Sequence, residues 1–392
     1  MENRDLNMKY AIIQAGYFAI VCCILGFAAV YLGAQGFGSS QIGIIMAIGS
    51  IVTTIAQPAL ASFVDKKHLS LNRVLVLLAL CGIVISLAIL ISSWVEISFL
   101  TAVLFILLNG ALMCMMPILN SLAFAFEDYG IQLNYGLARG IGSAAYAITS
   151  LIMGFVVAHI SPKLLPILYV VILAGLIPQI NGFRVRGRKR IKRSAPAEQP
   201  TGSTIEFLRN HSMFMIFLGG FLLVYLDHMM INNFFIYFIE NVGGTTSDMG
   251  IAVFLAAILE LVSMTALERI KNKVNISSLL IFSGVMFTVK HIITWLAKSM
   301  FMIYVAQFFQ MFAYAIFIPA SVYYVNQIFN KEDSVKGQAL VTMAMTASGV
   351  FASLLGGFMI DALGPSTTLL IGAIVSIIGT GVMIYALRPQ QK

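Results

Sequence analysis

Long apolar runs alternate with short polar joints along the whole chain. A helix needs about 20 apolar residues to cross a hydrocarbon layer about 30 Å thick. Twelve such segments can be drawn: 10–35, 41–63, 73–94, 97–125, 134–159, 164–182, 212–239, 249–267, 276–297, 300–328, 337–361 and 366–387. Barrel strands would alternate and would be about half as long, so these segments are expected to be helices. The first follows a polar start, Met1 to Lys9, and is too long for a signal-peptide core, so it is expected to stay in the mature protein. One joint is much longer than the others. Phe183 to Asn210 contains the linker-like stretch from Ser194 to Ser203 and divides six segments from six. The predicted organisation is a six-helix half over 1–182, a basic cytoplasmic linker over 183–211 and a second six-helix half over 212–392.

Composition agrees with an all-α membrane protein. Of 392 residues, 59% are hydrophobic and 10% charged, against about a quarter charged in a soluble domain. Disorder, a nucleic-acid-binding domain and an ordinary soluble enzyme are excluded on that ground. The net charge of +8 has a topological origin. With both termini inside, 20 of the 24 Lys and Arg fall on the inner side, only Lys163 and Lys298 fall outside, and Arg139 and Lys290 lie within segments. Inner loops hold the excess of basic residues. The basic run Arg184 to Arg193 thus reads as a topology signal in contact with anionic lipid rather than nucleic acid. A multi-pass protein of a bacterial-type plasma (inner) membrane with cytoplasmic termini is expected. Cys22, Cys23, Cys81 and Cys114 lie in apolar runs without ligand spacing, so packing is expected and neither a disulfide nor a metal site.

The halves resemble one another. Ser40-Gln-Ile-Gly43-Ile44 opens segment 2 and Ser247-Asp-Met-Gly250-Ile251 opens segment 8. In that register Asp65-Lys66 falls opposite Asn272-Lys273. Gly136 to Phe155 in segment 5 also resembles Gly337 to Phe358 in segment 11, with a gap of two residues.

Ionisable side chains near a bilayer centre cost several kcal/mol unless paired or hydrated, so each is a candidate for function. Segment 7 holds Asp227 and His228, segment 8 Glu260, segment 9 Lys290 and His291, and segment 5 Arg139. At about 1.5 Å per residue, Glu260 lies about 16 Å from its outer end, and Asp227 and Lys290 about 20 Å from their inner ends. Two cations and two anions sum to zero, as a mutually satisfied network at low dielectric requires. Asp227–Lys290 and Glu260–Arg139 pairs that merely join helices would give the same balance. Replacing such pairs by packed apolar residues is often neutral or stabilising, so their retention points to a hydrated chamber and a ligand. Aromatic planes suit the apolar face of a sugar ring; Tyr146, two turns from Arg139 on one helix face, and Phe27, Tyr225 and Trp295 are candidates to line the chamber. The amides Asn120, Asn232, Asn233, Gln307 and Gln310 suit hydroxyls, or serve as helix-to-helix bonds.

Six plus six helices, inner termini and a basic central loop resemble the major facilitator superfamily. After segment 2, Ala61-Ser-Phe-Val-Asp65-Lys66-Lys67 resembles its signature loop, with Ala61 and His68-Leu69 departing from the glycine positions. The resemblance implies that Asp65, with Lys66, helps hold one conformation as a gate. Gly26-Phe27, Ser40 to Ile45, Gln57-Pro58, Gly136-Leu-Ala-Arg139-Gly-Ile-Gly142, Leu259-Glu260-Leu261 and Phe287-Thr-Val-Lys290 are similar to the permeases of lactose, oligosaccharides and phenylpropionate. That likeness implies sugar contacts at Arg139 and Glu260, ring stacking at Tyr146 and a part in proton coupling for Lys290. Segment 4 departs with Asn120-Ser121 and segment 10 with Gln310 and Ala313, where the lactose permeases have a sugar-binding glutamate, a histidine and a proton-carrying glutamate. A proton carrier here would then be Glu260 or Asp227.

The expected function is secondary active import of a small polar solute, a sugar or glycoside, by proton symport, with sodium as the other possible coupling ion. An aromatic-acid or nucleoside permease and a drug/proton antiporter are the alternatives; segment 5 lacks the proline of the exporter signature. HExxH, GxSxG and Walker motifs are absent from the sequence, so neither an intramembrane enzyme nor an ATP-driven pump is expected. The only partners expected are the solute and the bilayer. The chain is expected to be a monomer.

Overall fold

Inside a hydrocarbon layer the backbone has no water to bond, so each apolar run closes its own ladder of amides. The computed structural model describes residues 2–126, 129–183, 204–270 and 274–388. Among them, twelve helices are long and apolar enough to cross a membrane: α1 (Asp5–Gly26), α2 (Ser39–Lys66), α3 (Leu71–Trp94), α4 (Ser98–Ala125), α5 (Tyr135–His159), α6 (Pro162–Gly182), α7 (Ser212–Asn233), α8 (Thr246–Ser263), α9 (Ile276–Leu296), α10 (Met300–Ile328), α11 (Asp333–Leu363) and α12 (Pro365–Leu387). These correspond to the twelve expected segments; most ends differ by five residues or fewer, while the first ends nine residues earlier and the seventh six, because their helices break at Phe27 and Phe234. The basic run Arg184–Arg193, the linker after it, and Asn272 and Lys273 lie outside the described residues. Asn134, Asn275 and Asn330 cap α5, α9 and the helix that contains α11, each side chain accepting from an amide three residues on.

The chain forms two compact units, Met1–Pro196 and Ala197–Lys392. In the first, α1 packs on α5 and α6, α3 on α4 and α6, and α2 on α4. In the second, α7 packs on α11 and α12, α9 on α10 and α12, and α8 on α10. The backbones of α7 and α12 approach closely at two glycines. A Cβ on Gly379 would stand 2.6 Å from the Gly220 carbonyl oxygen, and one on Gly220 would stand 2.7 Å from that of Gly379. Small residues allow this because packing, rather than water exclusion, holds helices together in lipid. Large apolar side chains such as Leu77, Val84, Ile91, Val262 and Met343 are exposed and form the lipid-facing surface.

The repeat extends into backbone detail. α1 breaks at Phe27 (φ −111, ψ 18) and α7 at Phe234 (φ −116, ψ 25). Gly36 (φ 88) and Gly243 (φ 80) make the left-handed turns that follow, a conformation that favours glycine. Each pair has the separation of Ser40 from Ser247. The break in α1 is preceded by a π-helical turn, Cys22–Gly26. A third break lies in α10, where the 3₁₀ turn Phe309–Met311 is followed by Ala313 at φ −86, ψ −90. Irregular backbone at membrane depth is tolerated where protein or a water-lined cavity surrounds it, and π turns are frequent at functional sites.

Candidate functional site

In the second unit α7, α8, α9 and α10 bring ionisable and amide groups together. Lys290 on α9 is 1% exposed. Its Nζ donates to Gln310 Oε1 at 2.6 Å, and Gln310 Nε2 donates to Glu260 Oε1 on α8 at 2.7 Å. One amide therefore joins a cation to an anion, and it does so from the 3₁₀ turn that interrupts α10. The Lys290 ammonium also lies within electrostatic reach of Asp227 as well as Glu260.

Asp227 on α7 is fully buried. Its Oδ2 is 3.0 Å from His291 Nδ1, yet neither carboxylate oxygen accepts a hydrogen bond. Beside it runs a line of hydroxyls between α9 and α12: Thr380 donates to the Gly284 carbonyl at 2.9 Å, and Thr288 donates to the Ser376 carbonyl at 3.2 Å and lies 2.8 Å from Thr380 Oγ1 and 3.0 Å from Ser376 Oγ. His291 Nδ1 stands 2.9 Å from Ser376 Oγ as well as 3.0 Å from Asp227 Oδ2. Gly372 on α12 makes room for this carboxylate, because a Cβ there would overlap Asp227 Oδ1.

His228, also buried, has Nε2 3.1 Å from Asn232 Nδ2 and no partner on Nδ1. Its ring stacks on Tyr314 at 5.7 Å, with Tyr225 and Phe287 completing an aromatic wall. Asn233 donates to Ser353 on α11 at 2.9 Å and so ties the broken end of α7 to its neighbour.

The first unit holds a separate set. The Arg139 guanidinium sits over the Phe18 ring, 4.3 Å from its centroid, and its Nη1 is buried without a partner. Its charge reaches Tyr10 and Tyr17. The Tyr146 hydroxyl lies against the π turn of α1, 3.0 Å from where a Cβ on Gly26 would be. Phe27 is buried at the break itself. Asn120 on α4 has Oδ1 buried and unpartnered. Asp65 and Lys66 are exposed at the last turn of α2, and no ion pair among the described residues includes them.

Sequence reasoning missed Gln14, which is fully buried, donates to the Tyr10 hydroxyl at 2.7 Å and keeps its carbonyl oxygen unpartnered. It missed Tyr314, Ser376 and Gly372 as well. The Asp227–Lys290 pair, offered as the purely structural alternative, is not the contact made. The structure bonds Lys290 to Gln310 and sets Asp227 against His291, because the break in α10 turns the Gln310 amide towards α9.

The chain matches the MFS_1 like family over residues 8–371. It belongs to the MFS_1 like family. This MFS_1 like chain is 24% identical over 405 aligned positions to the uncharacterized transporter YwbF of Bacillus subtilis (strain 168), covering 100% of the chain and 97% of that protein. It is 26% identical to a maltose permease of Geobacillus stearothermophilus, covering 93% and 90%. Its fold is that of a mutant of the nucleoside transporter NupG, with TM-score 0.80 at 14% identity over 97% of this chain and 99% of that one. It is also that of a bacterial homolog of the human lysosomal transporter Spinster, with TM-score 0.69 at 13% identity over 98% and 97%. The MFS_1 like chain is thus a multi-pass membrane transporter of a small solute, not an enzyme.

Proposed function

We propose that the protein is a secondary active importer of a small polar solute, a sugar or glycoside, in the plasma membrane of a bacterial-type cell, with both termini cytoplasmic. The observation that carries this reading is the buried Lys290–Gln310–Glu260 chain. A cation and an anion held at the two ends of one amide offer donors and acceptors to solute hydroxyls, and a solute that replaces the amide contacts exchanges one satisfied network for another. Arg139, Tyr146, Asn120 and Phe27 from the first unit and Glu260, Asn233 and Gln310 from the second are the proposed solute-binding residues. The unpartnered atoms of Arg139 and Asn120 support their assignment, and Tyr146 supplies an aromatic face for a sugar ring. The relative named maltose permease supports a sugar.

Transport proceeds by alternating access, the site opening to one side of the membrane and then to the other. Asp65 and Lys66 act as a gate at the inner end of α2. A proton is the coupling ion, and Asp227, His228, Glu260, Lys290 and His291 form the network that responds to it. No cofactor or metal takes part, and the transporting unit is a monomer.

Purified protein in liposomes given an outward-alkaline or outward-acid step in turn, with radiolabelled maltose outside, tests the reading. Accumulation above equilibrium in the acid-outside direction is expected. Equilibration without accumulation would reject coupling, and no entry of maltose or other glycosides would reject the substrate class. The unpartnered Nη1 of Arg139 favours an aromatic acid as the second substrate class, since guanidinium donors match a carboxylate. Uptake of a labelled aromatic acid in the same vesicles decides between them.

A further inference from the structure

A cavity in the first unit contains none of the groups placed so far. It lies where the α1–α2, α3–α4 and α5–α6 joints meet, at the opposite end of α2 from Asp65. Its volume is about 280 Å³. That is room for about nine waters at about 30 Å³ each. It is also just below the range of pockets that take drug-sized ligands, so an occupant is small.

Neutral polar groups make its floor. Ser92 and Ser93 from the last turn of α3 and Thr101 from the first turn of α4 are buried, with the Ser92 and Thr101 hydroxyls 2.7 Å apart. Gln35, which follows the short helix Ala28–Ala34, accepts from Ser93 at 2.8 Å through Oε1. Its Nε2 is buried with no acceptor. Nearly every buried donor in a folded protein has a partner, and this one belongs to a side chain lining a polar cavity, where the missing partner can enter. Glu96, Ser98 and Lys163 form the exposed rim. Glu96 is left-handed at φ 59, a conformation that strains most residues other than glycine and clusters at functional sites. It turns the chain between Trp94 and Ser98 and so sets Thr101 against Ser92.

The lining restricts what can bind. Among the described residues no aromatic or aliphatic side chain lines the cavity, so an apolar ligand finds no surface there. The rim holds one carboxylate and one ammonium, so an anion meets Glu96, a cation meets Lys163, and net charge is not selected. Hydroxyls and an amide remain. We propose that this cavity binds a neutral polyhydroxyl group of about monosaccharide size, with Gln35 Nε2 donating to one of its hydroxyls and Ser92, Ser98 and Thr101 exchanging hydrogen bonds with others. The site lies within the first unit and shares no residue with the solute-binding set above. Such a group comes from a free sugar or from the sugar headgroup of a lipid. Trp94 and Phe99, both exposed, flank the rim as interfacial aromatics do.

Occupancy needs no transport, so it is read by protection of a rim thiol in the full chain, purified in a detergent without a sugar headgroup. Ser98→Cys places the thiol on the rim, and Ser299→Cys, exposed at the start of α10 in the second unit, is the reference. Labelling of the unchanged chain, whose Cys81 is exposed, is subtracted. Alkylation by a charged, water-soluble maleimide is timed with and without excess glucose. Glucose is expected to slow Ser98→Cys about threefold or more, as mass action requires of a ligand that covers the thiol, and to leave Ser299→Cys unchanged. Adding Gln35→Met, which removes the donor and keeps the side-chain length, should abolish the protection, and adding Glu260→Gln should not. No protection by glucose or mannitol, equal protection by glycine betaine (a zwitterion without hydroxyls), protection that survives Gln35→Met, or protection lost in Glu260→Gln overturns the site. Phosphatidylcholine nanodiscs with and without a glucosyl diacylglycerol, and no free sugar, separate the sources. Protection there assigns a lipid headgroup, its absence beside protection by glucose assigns a free solute, and either supports the site. Should Ser98→Cys fail to fold, Lys163→Cys carries the same measurement from another part of the rim. None of these readouts involves transport, so failure of the import reading leaves them intact.

Discussion

Alanine at Gly379 is expected to destabilise the second unit, and alanine two residues later is not. A Cβ on Gly379 would meet the Gly220 carbonyl oxygen at 2.6 Å, Leu223 Cβ at 2.8 Å and the Val224 amide at 2.9 Å. Two of these neighbours are backbone and none can rotate away. Ordinary Cβ contact starts at 3.4 Å, so the two helices must part by up to about 0.8 Å, an overpacking that costs about 1–3 kcal/mol. Parting α12 from α7 also unseats Asp227 from Gly372, two turns away on the same helix face. At about 2–4 °C per kcal/mol for a unit of this size, the midpoint of thermal unfolding should fall by about 2–12 °C. Gly220→Ala meets the same backbone from the other side and should behave alike. Gly219 and Gly381 have nothing within 4 Å of a Cβ. As exposed glycines inside helices they should be neutral to alanine or stabilised by up to about 1 kcal/mol. Heating the purified variants in detergent and measuring the fraction that stays monodisperse gives the midpoints. Equal midpoints for Gly379→Ala and Gly381→Ala would refute the backbone crossing.

Gln310→Ala removes the amide between Lys290 and Glu260 and leaves each buried charged group short of a hydrogen bond, which costs about 1–3 kcal/mol or more, so both the unfolding midpoint and any stabilisation by added maltose should drop, and an unchanged midpoint counts against the bridge. Arg139→Lys keeps the charge but loses the planar stack on Phe18 and the forked donors, and solute affinity should weaken by about tenfold in an uptake series. Asn330→Ala and Asn134→Ala each remove a helix cap worth about 1 kcal/mol. Those two variants should melt earlier, with uptake per folded molecule unchanged.

The helices were legible in the sequence because a bilayer sets a length no soluble core demands, and runs such as 73–94 meet it without ambiguity. The breaks were not. Cys22–Gly26 contains no proline, and the 3₁₀ turn at Phe309–Met311 lies well before Pro319; only packing against neighbours decides where such a ladder gives way. Ionisable candidates were visible for the same reason that spans were, since lipid makes a charge conspicuous. Gln14, Ser376, Thr288 and Thr380 were hidden, because amides and hydroxyls bond helices together throughout membrane proteins and carry no mark of position. One signal for the breaks did exist. The Gly43–Gly250 register, read a little further back, would have set Phe27 against Phe234 and Gly36 against Gly243.

That register has a bearing on how the protein can change over evolution. Counted along it, Asp227 and Glu260 fall on Ile20 and Thr53, while Arg139 falls on Leu340 in the segment 5 and segment 11 alignment. The duplicated scaffold accepts an apolar or neutral side chain at each of these places, with Ile20 as fully enclosed as Asp227. The backbone course at these places is thus set without carboxylate or guanidinium. A lineage could change the polar side chains of one half without redrawing the backbone of either.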